Sequence, residues 1–135
     1  MDQTQRTAEI RITIPPLLEA VKDARDLVAK AWALWGLGDD YFARLVASEL
    51  VTNSVRASLR YEMQEDIEVC VRLTEGRAQI EVWDHVPAPA IVVLAGDDDE
   101  SGRGTQIVLA MCARWNTEWV YDQHRKYVRA ELVPA

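Results

Sequence analysis

The chain has 135 residues, of which 49% are hydrophobic and 27% charged, with 22 Asp and Glu against 15 Lys and Arg. That is one domain's length, with room for one core. A net charge of −7 and the lack of any Lys/Arg run argue against nucleic acid as a direct partner. A single local pocket can still take a nucleotide. No apolar run approaches the roughly 20 residues of a membrane-spanning helix. The N-terminus, MDQTQRTAEIR, has no apolar segment of the signal-peptide kind. The cytoplasm is the expected location. Cys70 and Cys112 lie far apart among apolar residues and lack metal-ligand spacing, so both are expected as buried, reduced thiols.

Residues 1–8 are polar and are expected to be disordered. Ile10, Ile12 and Ile14 then alternate with Arg11 and Thr13, which is a strand pattern. Pro15-Pro16 stops it. Residues 17–35 carry Leu17, Val21, Ala24, Val28, Ala31 and Trp35 at helical spacing. Gly36–Gly38 ends that helix, and Asp39 or Asp40 can cap the next by accepting a hydrogen bond from a free amide. Residues 39–61 are again helical, with Phe42, Leu45, Val46 and Leu50 on one side. At about 100° per residue, Glu49 and Asn53 fall within the arc of those four. A carboxylate and an amide one turn apart therefore face the protein. Buried polar groups are costly unless paired or employed. An internal hydrogen-bond network and a functional site both satisfy that rule.

Beyond a polar linker, Ile67, Val69, Val71 and Leu73 share one face of a strand. Glu75-Gly76 turns the chain, and Ala78, Ile80 and Val82 share a face of the next, completing a β-hairpin. Asp84 has the parity of Ile80 and Val82, which makes it a second inward carboxylate at a strand end. The prolines in 85–89 end the strand. Residues 90–95 are apolar, and GDDDESGRG (96–104) reads as a mobile loop. A helix is expected from Gly104, with Ile107, Val108, Met111, Cys112 and Trp115 as its apolar stripe. Residues 117–121 and 127–133 form a closing hairpin around 122–126, with Val128, Ala130 and Leu132 on one face. The expected fold is α+β in a single domain, 1–135. It is a two-layer α/β sandwich with helices on one face of a mixed, mostly antiparallel sheet.

Three pieces can carry chemistry. Glu49 can serve as a general base and Asn53 as an oxygen ligand for Mg²⁺. Asp84 can accept a hydrogen bond from an exocyclic amine, or simply cap a turn. Ser101-Gly102-Arg103-Gly104-Thr105 leads into a helix, whose free amides and dipole favour anions and whose glycines admit close approach of a phosphate. A lone Gly-x-Gly reads equally well as a flexible turn. His85 and His124 stand alone in turns, and nothing resembles a Ser-His-Asp triad or a metal cluster.

The order of these pieces is more specific than any one of them. A helix with ELVTN (Glu49–Asn53) comes first, then a strand ending VWD (Val82–Asp84), then a loop ending GRG (Gly102–Gly104) that runs into a helix. This order resembles the Bergerat-fold (GHKL-type) superfamily of gyrase B-type ATPases and histidine kinases. Within it, the chain is most similar to the stand-alone bacterial serine/threonine kinases that act as anti-sigma factors. The resemblance runs from about Ile10 to Val133, and the ending RKYVRAEL looks like that family's last strand. It implies ATP and Mg²⁺ as cofactors, with Glu49 as general base and Asn53 holding the metal against the phosphates. It also implies Asp84 reading the adenine amine, Gly102, Arg103, Gly104 and Thr105 cradling phosphate, and 96–101 as an ATP lid. The implied partners are an anti-anti-sigma protein phosphorylated on Ser or Thr, a sigma factor, and a second copy of the chain. The chain departs from the family in three places. His85-Val86-Pro87-Ala88 stand where glycines usually follow the strand-end Asp, and Arg125-Lys126-Tyr127 where a Gly-Thr pair is common. The third is the lid, which carries Asp97, Asp98, Asp99 and Glu100. A catalytically degenerate module that regulates by docking a protein is the alternative function.

Overall fold

The computed structural model describes residues 7–87 and 100–133, with the backbone alone for 100–103. Its strands are β1 (Thr7–Ile14), β2 (Ile67–Thr74), β3 (Arg77–Asp84), β4 (Arg114–Val120) and β5 (Arg125–Leu132). Its helices are α1 (Val21–Trp35), α2 (Tyr41–Arg60) and α3 (Glu100–Ala110), and a short 3₁₀ turn, Leu18–Ala20, precedes α1. The sheet order is β1-β2-β3-β5-β4. The expected α+β sandwich is present, and all four pairings are antiparallel. The sheet expected to be mixed is antiparallel throughout the described strands. The hairpin connections β2–β3 and β4–β5 set neighbours antiparallel, and β5 docks against β3 in the same sense.

The alternating residues form the inner face as expected. Ile12 opposes Val69, Val69 opposes Val82, and Val82 opposes Val128. Val69, Val71, Ile80 and Ala130 are wholly buried beneath Val28, Ala31, Val46, Ala47 and Val51 of α1 and α2. Burying a side chain such as Ile80 stabilises the fold by about 1.5–3 kcal/mol before entropy is counted. α1 ends at Gly36, whose left-handed backbone (φ 62°) closes the helix through bonds to the Ala33 and Trp32 carbonyls. A residue with a Cβ is strained there. Asp39 then accepts a hydrogen bond from the Tyr41 amide at 2.9 Å and starts α2.

The opposite face of the sheet is ionic. Glu81, only 2% exposed, accepts hydrogen bonds from Arg72 (2.7 Å) and Arg129 (2.7 Å). Burial alone would raise its carboxyl pKa. The two guanidiniums outweigh that and hold it below the ordinary range. Trp83 lies on this face, against Tyr127 at 4.9 Å between ring centroids and with the Arg125 guanidinium 4.1 Å above its ring. Cys70 and Cys112 are both free; Cys70 is buried as expected, whereas Cys112 is only half-buried, and desolvation raises both thiols to about 11.

Three boundaries differ from the sequence reading. β1 already includes Thr7 and Ala8, placed by pairing with Thr74 and Leu73. The closing hairpin is longer, because β4 begins at Arg114 and β5 at Arg125. α3 begins at Glu100 rather than Gly104, so Gly102 and Gly104 lie inside its first turns. Its buried stripe shifts accordingly: Thr105, Val108 and Leu109 are buried, whereas Ile107 and Met111 are 59% and 65% exposed. The apolar residues 90–95 and the acidic residues 97–99 lie outside the described residues.

Candidate functional site

The site is built on one flank of α2. The core face of that helix runs through Ala43, Val46, Ala47, Leu50, Ser54, Val55 and Ser58. Glu49 and Asn53 are half-buried beside it, at the edge of the buried arc rather than within it. Among the described residues, neither Glu49 nor Asn53 makes a hydrogen bond or ion pair. The internal network that would have explained them structurally is absent from that set.

α3 comes close to this flank. A Cβ added at Gly104 would press into the Glu49 carboxylate, 3.1 Å from Cδ and 3.5 Å from Oε2. Glycine here lets the backbone of α3 approach the carboxylate where it stands, whereas a side chain would make the end of Glu49 move aside. The neighbouring Thr105 is 1% exposed. Glu49, Gly104 and Thr105 are therefore brought to one junction between α2 and α3, with Asn53 one turn further along α2. The side chain of Arg103 and residues 96–99 lie outside the described residues.

Asp84 reaches the same helix from the sheet, through Ser54 of α2. It points inward as its parity requires and is 4% exposed. Its Oδ2 accepts from the Ser54 hydroxyl at 2.6 Å, and its Oδ1 from the Val86 amide at 3.0 Å and from Lys126 Nζ at 2.7 Å. Lys126 is itself 5% exposed and also donates to the Val86 carbonyl at 3.1 Å. Asp84 and Lys126 sit directly opposite each other in the β3–β5 register. The sequence reading missed both Lys126 and Ser54. Parity could have found Lys126, since it lies in step with Val128, Ala130 and Leu132. The helical period could have found Ser54, four residues after Leu50. Beside Asp84, His85 Nδ1 is a buried nitrogen without a hydrogen-bond partner among the described residues.

These groups suit a phosphorylated ligand with a metal at the α2–α3 junction. Asn53 offers an uncommitted amide oxygen, Glu49 an uncommitted carboxylate, and Gly104 a bare backbone. No set of three or more His, Cys, Asp or Glu side chains forms a cage among the described residues, so a metal here would share its ligands with a bound anion. No helix among those residues is long and apolar enough to cross a membrane.

A search of curated protein sequences gives no match. Among solved structures, the chain is similar to the RsbU and RsbW domains of Rv1364c from Mycobacterium tuberculosis, with a TM-score of 0.61 at 14% identity. That match covers 93% of this chain and 32% of the other, so the chain spans about a third of its neighbour's length. The likeness shows the shared fold. The family described as "Histidine kinase-like ATPase domain" matches residues 14–130, from the last residue of β1 into β5 and across every element of the site. The chain therefore belongs to the histidine kinase-like ATPase domain family.

Proposed function

We propose that the chain is an ATP-binding regulatory protein of the anti-sigma kinase type, which phosphorylates Ser or Thr of an anti-anti-sigma partner. One observation carries the reading. Glu49 and Asn53 sit half-buried and unpaired among the described residues, at the point where Gly104 brings α3 against α2. Family membership and the fold shared with a structure containing an RsbW domain support it.

Bound ATP with Mg²⁺ would supply the phosphoryl group and offset its charge. Asn53 would give its side-chain oxygen to the metal. Gly102, Arg103, Gly104 and Thr105 would line the phosphates from α3, with the backbone of Gly104 the closest to Glu49. Glu49 would accept the proton of the partner's hydroxyl as general base. Asp84 would hold the base end of the pocket. The protein would act in the cytoplasm on transcription, as a homodimer, binding a sigma factor as well as the phosphorylated partner.

The test is incubation with ATP, Mg²⁺ and a panel of anti-anti-sigma proteins. Phosphate incorporation that disappears in Glu49→Gln supports the proposal. Absence of transfer to a panel member that binds the chain would refute it.

Docking without catalysis is the second reading, favoured by one surface feature. Tyr41 and Val133, 65% and 79% exposed, rim a cleft of about 190 Å³ floored by Trp32, Phe42 and Leu132. Such a chain would bind its protein partner equally well with Glu49 replaced.

A further inference from the structure

The Asp84–Lys126 pair is more than a closed salt bridge. A carboxylate has about four acceptor sites and an ammonium three donors. Among the described residues Asp84 uses three sites, through Lys126, Val86 and Ser54, and Lys126 uses two donors, to Asp84 and the Val86 carbonyl. Oδ2 retains one acceptor site and Nζ one hydrogen. Both residues are nearly sealed from water, at 4% and 5% exposure, so solvent is a poor partner for either. Leaving a buried donor and acceptor unmatched is unfavourable. The two belong to one bonded pair, so they lie side by side where β3 and β5 pair. Adjacent donor and acceptor complement a flat edge that carries an acceptor beside a donor. The ring nitrogen and exocyclic amine of adenine are such an edge. Guanine offers a carbonyl oxygen beside a ring N–H, but its exocyclic amine would then need a further acceptor.

We propose that Lys126 is a second base-reading residue, donating its remaining hydrogen to the adenine ring nitrogen next to the amine while Asp84 Oδ2 accepts from the amine. This rests on the nucleotide reading of the pocket. The ammonium is held at two points before any ligand arrives, so little ordering is needed on binding. The pair also gives the base end no net charge, which leaves discrimination to hydrogen-bond direction.

The experiment needs no mutation at first. Titrate the wild type with ATP and with 1-deaza-ATP, which lacks only that ring nitrogen, each with Mg²⁺. Loss of one charge-assisted bond predicts roughly 10- to 100-fold weaker binding of 1-deaza-ATP. Lys126→Met should bind the two within about twofold of each other, with folding checked by its melting curve. Equal binding of ATP and 1-deaza-ATP by the wild type overturns the role of Lys126 and leaves the nucleotide pocket standing. So does tighter ATP binding by Lys126→Met, which would make the ammonium a plug. Binding of neither nucleotide to wild type or variant overturns both readings.

Discussion

Gly104→Ala separates what the fold needs from what the site needs. Alanine is the better helix former, and in an exposed helix interior the exchange is worth about 1 kcal/mol in its favour. Here the new methyl enters the space of the Glu49 carboxylate, with Cδ only 3.1 Å away. That carboxylate is the end of a flexible side chain, so it can rotate aside, at an off-rotamer cost of about 0.5–1.5 kcal/mol. The two effects nearly cancel, and Gly104→Ala should leave stability within about 1 kcal/mol of wild type, a shift of a few degrees in Tm at this chain length. In a Glu49→Ala background the clash is gone, and the same exchange should stabilise by about 1 kcal/mol. A double-mutant cycle by urea denaturation should therefore give a coupling of roughly 0.5–1.5 kcal/mol between the two positions. Nucleotide-dependent activity should fall sharply in Gly104→Ala, because the displaced carboxylate is the proposed base. Additive stabilities, or full activity in Gly104→Ala, would refute the close approach as the reason for glycine.

Other consequences follow from the same contacts. Asp84→Leu leaves Lys126 as a buried, uncompensated charge and should cost about 3–5 kcal/mol, whereas Asp84→Leu with Lys126→Met should regain most of it; equal losses in urea melts would contradict the pairing. Glu81 has a folded pKa below its ordinary 4.5, so its stabilising contribution is full above that value and is lost as pH falls through the lowered one. The Tm gap between wild type and Glu81→Gln should shrink on acidification below about pH 4.5, and a gap independent of pH would count against the Arg72–Glu81–Arg129 cluster. With both thiols raised to about 11, Cys70 and Cys112 should resist a thiol-specific chromogenic reagent at neutral pH and react fully once unfolded. Rapid labelling of both thiols in the native protein would contradict the burial of Cys70 and the raised pKa of each.

Much of this site is written in local patterns. Alternation along Ala78, Ile80 and Val82 carries Asp84 inward without further information, and the structure places it there, 4% exposed. The helical period isolates Glu49 and Asn53 as polar positions beside an apolar face. It does not say whether they are paired, because that depends on what α3 brings opposite them. The close contact of Gly104 with Glu49 joins residues 55 positions apart, and no local period encodes it. The start of α3 was misread for a related reason. Glycines in the sequence GRG suggest a loop, yet the helix runs from Glu100 and buries Thr105, Val108 and Leu109. Apolar character alone points Ile107 and Met111 inward; the stripe through Thr105 and Leu109 turns Ile107 outward, and Met111 lies exposed just past the end of the helix. Parity places Lys126 in step with Val128, Ala130 and Leu132, but its charge reads as solvated after a turn, and the register that sets it opposite Asp84 explains its burial.

The account turns on the flank of α2 being a nucleotide-phosphate site, and calorimetric titration with ATP and Mg²⁺ tests that most directly. The wild type should give saturable, one-to-one heat, and Asn53→Ala should lose it while melting at nearly the wild-type temperature, since Asn53 makes no bond within the described residues. No heat from the wild type at millimolar ATP, or unchanged binding in Asn53→Ala, would contradict the assignment.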